Sequence, residues 1–226
     1  ITLPHGGENV IEIEASAGPS ELTLLNNRAA VVTNGVRDQL RVLLVSGEPH
    51  AGERTLRNLL KADPSVSLVH FTILRPPEKQ DGTPVEELSL IAFPTRELFD
   101  EKLNEFNLII FDRYQRRGVL PLAYYENVAR YVENGGALLV ASGPEFSEPL
   151  SLYRSPLASV LPAEPVERVI EQGYKPRLTG AGERHPVTAG LPGANTKDKE
   201  PTWGRWFRLV QATVLGGQTL ISGPEQ

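Results

Sequence analysis

Ala137-Leu138-Leu139-Val140-Ala141-Ser142 is the stretch that decides the fold. Five apolar residues without alternation, directly after Gly135-Gly136, read as a strand covered on both faces, the habit of a parallel sheet in an α/β domain. Just upstream, Leu122, Tyr125, Val128, Ala129 and Val132 recur at helical spacing. Pro121 suits the first helical position, and the glycine pair closes the helix. Two further apolar runs end at polar turns in the same way, residues 41–46 (RVLLVS) and 107–112 (NLIIFD).

The segments between these runs complete the alternation. A helix is expected over 53–61, with Leu56, Leu59 and Leu60 on one face and Asp63-Pro64 as its stop. A strand is expected over 67–74 with His70 in or near the core, followed by a charged loop over 77–83. Residues 86–93 read equally as strand or helix, and 97–106 as a short amphipathic helix. Beyond residue 150 prolines punctuate the chain, and strands are expected over 166–171, 205–211 and 218–222. The sum is an α/β domain over residues 37–226, a mostly parallel sheet of five or more strands with helices on both faces.

Residues 1–36 differ in texture. Val10-Ile11-Glu12-Ile13-Glu14 alternates at period two, and 21–25 and 28–33 read as strands separated by Asn26-Asn27. Two or three strands do not bury a core of their own. This appendage is therefore expected either to pair with an edge of the main sheet or to be the tail of an immunoglobulin-like sandwich.

Composition bounds the chemistry. The chain has 226 residues, 40% of them hydrophobic, and a net charge of −5. Its longest basic block is Arg116-Arg117, which argues against a nucleic-acid partner, since neutralising phosphates takes a basic face. With no cysteine there are no disulfides, thiolate metal sites or thiol nucleophiles. No metal-ligand spacing, phosphate loop or dinucleotide fingerprint is present, so no metal or cofactor is expected. No run approaches the ~20 apolar residues of a membrane span. Ile1 and the absence of methionine read as a piece of a longer protein.

In an open α/β sheet, ligands sit beyond the carboxyl ends of the strands. The residues delivered there are Gly47, Glu48 and His50, then Asp112, Arg113 and Tyr114, then Ser142 and Gly143. A serine, a histidine and two carboxylates on one rim are raw material for acyl transfer. The turn Val140-Ala141-Ser142-Gly143-Pro144, however, lacks the small flanking residues of a nucleophile elbow, and Ser142 reads also as a helix N-cap. His185, in a loop before Pro186, and His50 are the candidate bases. Trp203, Trp206 and Phe207, interleaved with Arg205 and Arg208, read as an amphipathic strand on the sheet edge.

Three stretches carry a family resemblance: Asn107-Leu108-Ile109-Ile110-Phe111-Asp112, Tyr131-Val132-Glu133-Asn134-Gly135-Gly136-Ala137-Leu138-Leu139-Val140, and His185-Pro186-Val187-Thr188-Ala189-Gly190-Leu191. Over residues 40–222 the chain resembles the class I glutamine amidotransferase-like superfamily. More narrowly, it is similar to amidotransferase-like domains of large bacterial membrane proteins. The resemblance implies a flavodoxin-like, doubly wound fold, here truncated at its C-terminus. It also implies a membrane-associated bacterial parent whose spanning segments lie outside a soluble domain, on the periplasmic side by slight preference. Glutamine-hydrolysing members carry a cysteine in the elbow, where this chain has Ser142, and a His-x-Glu near the end, where His185-Pro186 is followed by Val187. The expectation is a catalytically silent module binding an unidentified protein or small ligand; the alternative is a hydrolase or amidotransferase using Ser142 with a histidine base.

Overall fold

Apolar runs with no polar face must be covered twice, and the middle of this molecule is built that way. The computed structural model describes residues 3, 7–19, 21–23, 25–35, 39–72, 94–194 and 199–223. In chain order its elements are β1 (Gly7–Glu14), β2 (Arg28–Gly35), β3 (Leu40–Ser46), α1 (Ala51–Ala62) and β4 (Val66–Thr72). A π-helical turn (Glu97–Glu101) leads to β5 (Leu108–Asp112), α2 (Leu122–Glu133) and β6 (Ala137–Ala141). Then come β7 (Ala163–Ile170), β8 (Arg177–Leu178), β9 (Leu209–Val214) and β10 (Ile221–Ser222).

Four strands form one all-parallel sheet in the order β4-β3-β5-β6. From β3 the chain steps one way to β4, and from β5 it steps the other way to β6. Right-handed crossovers therefore set α1 and α2 on opposite faces. Side chains alternate accordingly. Val42, Leu44 and Ile110 pack under Leu56 and Leu60 of α1. Leu43, Val45, Ile109 and Phe111 pack with Phe99, Tyr125 and Val128 on the other face. Ile109, Phe111, Leu43 and Leu44 are fully buried, as central strands covered twice require.

The Gly135-Gly136 stop of α2 has two separate causes. Gly135 takes φ 97°, the left-handed conformation that ends a helix, and its N–H donates to the Val132 carbonyl at 2.9 Å. A Cβ on Gly136 would lie 2.3 Å from the Tyr131 ring, whose hydroxyl donates to the Phe106 carbonyl and accepts from the Ala137 N–H. That tyrosine ties helix end, strand start and the preceding turn together.

Several expectations are corrected. The parallel sheet has four strands among the described residues, because the segments after 150 pair elsewhere. β7 and β9 form an antiparallel ribbon with an irregularity between Pro165 and Val169, and β8 pairs with β10. The strand expected over 205–211 begins at Leu209; ahead of it Trp206 makes a single bridge to Tyr174, away from the parallel sheet. β6 is an end strand with Leu139 45% exposed, so it is not covered on both faces. The helix expected over 97–106 divides into the π-helical turn and a 3₁₀ turn at Leu103–Glu105. Leu59 is 68% exposed, leaving Leu56 and Leu60 as the packed face of α1. Pro121 caps α2 from just outside it.

At the amino end, β1 and β2 pair antiparallel with each other, not with an edge of the main sheet. The described residues of 21–25 form no strand, and Leu22 and Leu25 are fully open to solvent with no partner strand beside them. The expected loop at 77–83 and element at 86–93 lie outside the described residues, as do the last residues of the strand expected over 67–74.

Candidate functional site

Parallel register sets a row of polar side chains at the carboxyl end of the sheet. Ser46 on β3 stands level with Thr72 on β4 and with Asp112 on β5. All three fall on the α1 face, one rung beyond Leu44 and Ile110. A polar row inside a packed layer must find partners within the protein, and the start of α1 supplies them.

Asp112 is 4% exposed, and its Oδ2 receives two groups: His50 Nε2 at 2.8 Å and the Ser46 hydroxyl at 3.5 Å. His50 is the residue immediately before α1, in extended conformation, and caps the helix with no side-chain bond to it. Donation from Nε2 leaves the lone pair of a neutral imidazole on Nδ1. The second cluster lies beside the first. Glu53, in the first turn of α1 and 6% exposed, accepts from the Thr72 hydroxyl at 2.8 Å and lies 3.2 Å from His70 Nε2. Desolvation holds the His70 pKa below its usual value, outweighing the attraction of Glu53, with Arg57 and Lys61 pushing the same way as burial and Asp112 against it. The start of α1 is thus fastened to the ends of β4 and β5 through two histidine–carboxylate contacts, and the Ser46 hydroxyl ties β3 to Asp112.

At the β3/β5 junction the backbone is closely fitted. Arg113 takes φ 44°, the one non-glycine residue at positive φ among those described. Its N–H donates to the Ala141 carbonyl at 2.9 Å, and its own carbonyl packs on Gly47, where a Cβ would come within 2.1 Å. The Gly47 N–H donates to the Asp112 carbonyl at 2.9 Å. The Arg113 guanidinium reaches Glu145, 3% exposed, with Nε and Oε2 3.5 Å apart, while the other carboxylate oxygen accepts from the Gly143 N–H. Further out, Glu48 faces Arg117 at 3.7 Å.

The structure therefore gathers Gly47, His50, Asp112 and Arg113 closely and links Gly143 to Arg113 through Glu145. It removes Tyr114 from the rim. That residue is 4% exposed, points into the α2-side core and shares a 3.0 Å hydroxyl contact with Tyr125; burial drives its phenol pKa far upward. Ser142 is exposed and none of the described histidines hydrogen-bonds to it. It caps no helix either, for the short turn Pro144–Ser147 starts after Gly143. His185 is engaged locally, its Nδ1 accepting from the Val187 N–H at 3.2 Å.

Sequence reading missed Glu53, Thr72 and Glu145. Acidic residues ordinarily stay at the surface, and nothing local marks Glu53 as buried. Glu145 did carry a signal, since a carboxylate just after Gly143-Pro144 can fold back on the preceding N–H groups.

Chemically, the arrangement differs from a hydrolytic triad. There the histidine stands between the serine and the acid, whereas here Asp112 stands between Ser46 and His50, and Ser46 is fully buried. Among the described residues no group of three or more histidine, aspartate or glutamate side chains is placed to hold a metal ion. No helix among them is long and apolar enough to cross a membrane. Beside the rim, an open groove of ≈ 560 Å³ runs between β6 and the β7–β9 ribbon, with Ser142 and Gly143 in its lining. Comparison of the chain with family models, with curated proteins and with solved structures finds no match.

Proposed function

We propose that this chain is a class I glutamine amidotransferase-like domain of flavodoxin-like topology that has no glutaminase activity and serves as a binding or scaffolding module of a bacterial envelope protein. The strand order supports the topology: β4-β3-β5-β6 corresponds to 2-1-3-4, the first four strands of the flavodoxin-like order. The observation that carries the silent reading is the state of Ser142. It follows β6, where the family mounts its nucleophile, yet it is exposed, lies outside the positive-φ region and is bonded by none of the described histidines. A serine hydroxyl is a weak nucleophile unless a positioned base activates it and an oxyanion hole receives the charge. The rim histidine His50 is fastened to Asp112 instead.

The test is ammonia release from glutamine by the parent chain and by Ser142→Ala. No turnover in either, with equal thermal stability, is the expected result. Loss of a working nucleophile costs about 10⁶ in one hydrolase, so turnover in the parent that disappears in the variant would overturn the silent reading and make Ser142 the nucleophile.

A further inference from the structure

β6 is the one strand of the parallel sheet whose outer edge opens onto the groove. The Ala141 carbonyl accepts from the Arg113 N–H, so Ala137, Leu139 and Ala141 turn their backbone groups toward β5. By the alternation of a parallel ladder, Leu138 and Val140 turn theirs the other way. Both residues line the groove, and their N–H and C=O groups have no hydrogen-bond partner among the described residues. Natural edge strands are blunted by charge, proline or a bulge. This one reads Ala-Leu-Leu-Val-Ala, apolar throughout, with Leu139 45% exposed.

The groove complements such an edge. Besides β6 it is lined by Tyr174, Trp206, Leu209, Phe146 and Leu161. Trp206 is 56% exposed, ready to be covered. Among the described lining residues the single charge is Arg208, in a chain whose net charge is −5, and no carboxylate lines the groove. Among the described residues the Arg208 guanidinium pairs with Glu171, an exposed contact at 3.3 Å of the kind that exchanges at little cost.

We propose that this groove takes up an extended segment of a partner protein as a fifth strand on β6, apolar at alternate positions and bearing a carboxylate toward Arg208. Main-chain bonds to Leu138 and Val140 would supply the register, and alternate side chains would fill the two faces beside Leu139 and Val140. A small apolar molecule would leave the outward N–H and C=O groups unpaired. A second copy pairing through its own β6, Ala-Leu-Leu-Val-Ala, would bring no carboxylate to Arg208. The proposal stands whether or not Ser142 is silent.

The test titrates the full isotope-labelled chain with the peptide acetyl-Thr-Val-Thr-Val-Thr-Asp-amide, and with the same peptide ending in Lys. The expected result is a blue shift of Trp206 emission and slowed amide exchange at Leu138 and Val140, about tenfold at ten times Kd. Leu139, already bonded to β5, should not change. Arg208→Glu should invert the Asp-over-Lys preference, and Leu139→Lys should abolish binding while keeping the fold. Absence of protection at about 1 mM peptide would overturn the proposal. So would concentration-dependent protection without peptide, the mark of a second copy. Displacement of the apolar dye anilinonaphthalene sulfonate with no protection at Leu138 and Val140 would overturn it too, as the mark of a small-molecule cavity.

Discussion

Gly47→Ala isolates the close fit between the ends of β3 and β5. Gly47 is not at positive φ, so alanine is conformationally acceptable there, and in open space such a change stabilises by about 0.4–1 kcal/mol through the unfolded chain. The site is not open. The new Cβ would lie 2.1 Å from the Arg113 carbonyl oxygen and 2.6 Å from the Tyr114 Cα, both backbone atoms that cannot swing aside. Carbon–oxygen contacts settle at about 3.3–3.6 Å, so the two strand ends must part by about 1 Å. That opens the 2.9 Å bond from the Gly47 N–H to the Asp112 carbonyl toward 4 Å, outside hydrogen-bonding range. A lost net hydrogen bond of about 1 kcal/mol and overpacking of about 1–3 kcal/mol give an expected loss of about 2–4 kcal/mol. The assay is urea unfolding followed by circular dichroism, with Gly180→Ala as control, since nothing lies within 4 Å of a Cβ there. The control should be neutral or slightly stabilising. A Gly47→Ala chain as stable as the control would refute the close fit between Gly47 and the Arg113 carbonyl.

His70 sets a pH dependence whose sign follows from its lowered pKa. The folded state disfavours the imidazolium, so the unfolded chain binds the proton first; the stability is fully present above the ordinary value of 6.5 and falls as pH drops from there through the folded pKa. Unfolding curves from pH 8 to pH 5 should lose that slope in His70→Gln, and an unchanged slope would assign it elsewhere. Glu145→Ala strands the Gly143 N–H and the Arg113 guanidinium and should cost about 2 kcal/mol, whereas Ser142→Ala, three residues away, should stay within about 0.5 kcal/mol. Equal effects in the two chemical-denaturation series would contradict the assigned burial of Glu145.

The part of the fold carried by local pattern was legible. β3, β5, α2 and β6 fall where apolar runs, helical spacing and the glycine stop put them, because each signal is short-range. What failed depends on partners. A run such as Ala137–Ala141 looks the same in an edge strand and a central one, so the exposure of Leu139 was invisible. β7, β9 and β10 overlap the strands expected after residue 150 and β8 was not foreseen, but alternation names no neighbour, and β7 and β9 chose each other. The site divided likewise. Asp112 and His50 were legible because strand ends define a rim. Tyr114 was misplaced because a residue after a strand can turn inward, and here it meets Tyr125.

These contrasts separate two kinds of polar group, and Asp112→Ala tests the separation. At the rim, carboxylates and donors are mutually engaged: Asp112 with His50 and Ser46, Glu53 with Thr72 and His70, Glu145 with Gly143 and Arg113. Their evident work is to seat the first turn of α1 and fix the strand ends. Along β6, by contrast, the backbone groups of Leu138 and Val140 face the groove with no partner among the described residues. If the rim is structural, Asp112→Ala leaves a buried hydroxyl and an imidazole without their acceptor, at about 1–3 kcal/mol. Amide exchange in the first turn of α1 should accelerate, because the fastening to β5 is gone while Glu53 still holds β4. Peptide binding at β6 should be unchanged, since the Asp112 carboxylate bonds to Ser46 and His50 and does not line the groove. The reverse pattern, intact stability with lost peptide binding, would make Asp112 part of a binding surface and refute the division between a fastened rim and an open edge.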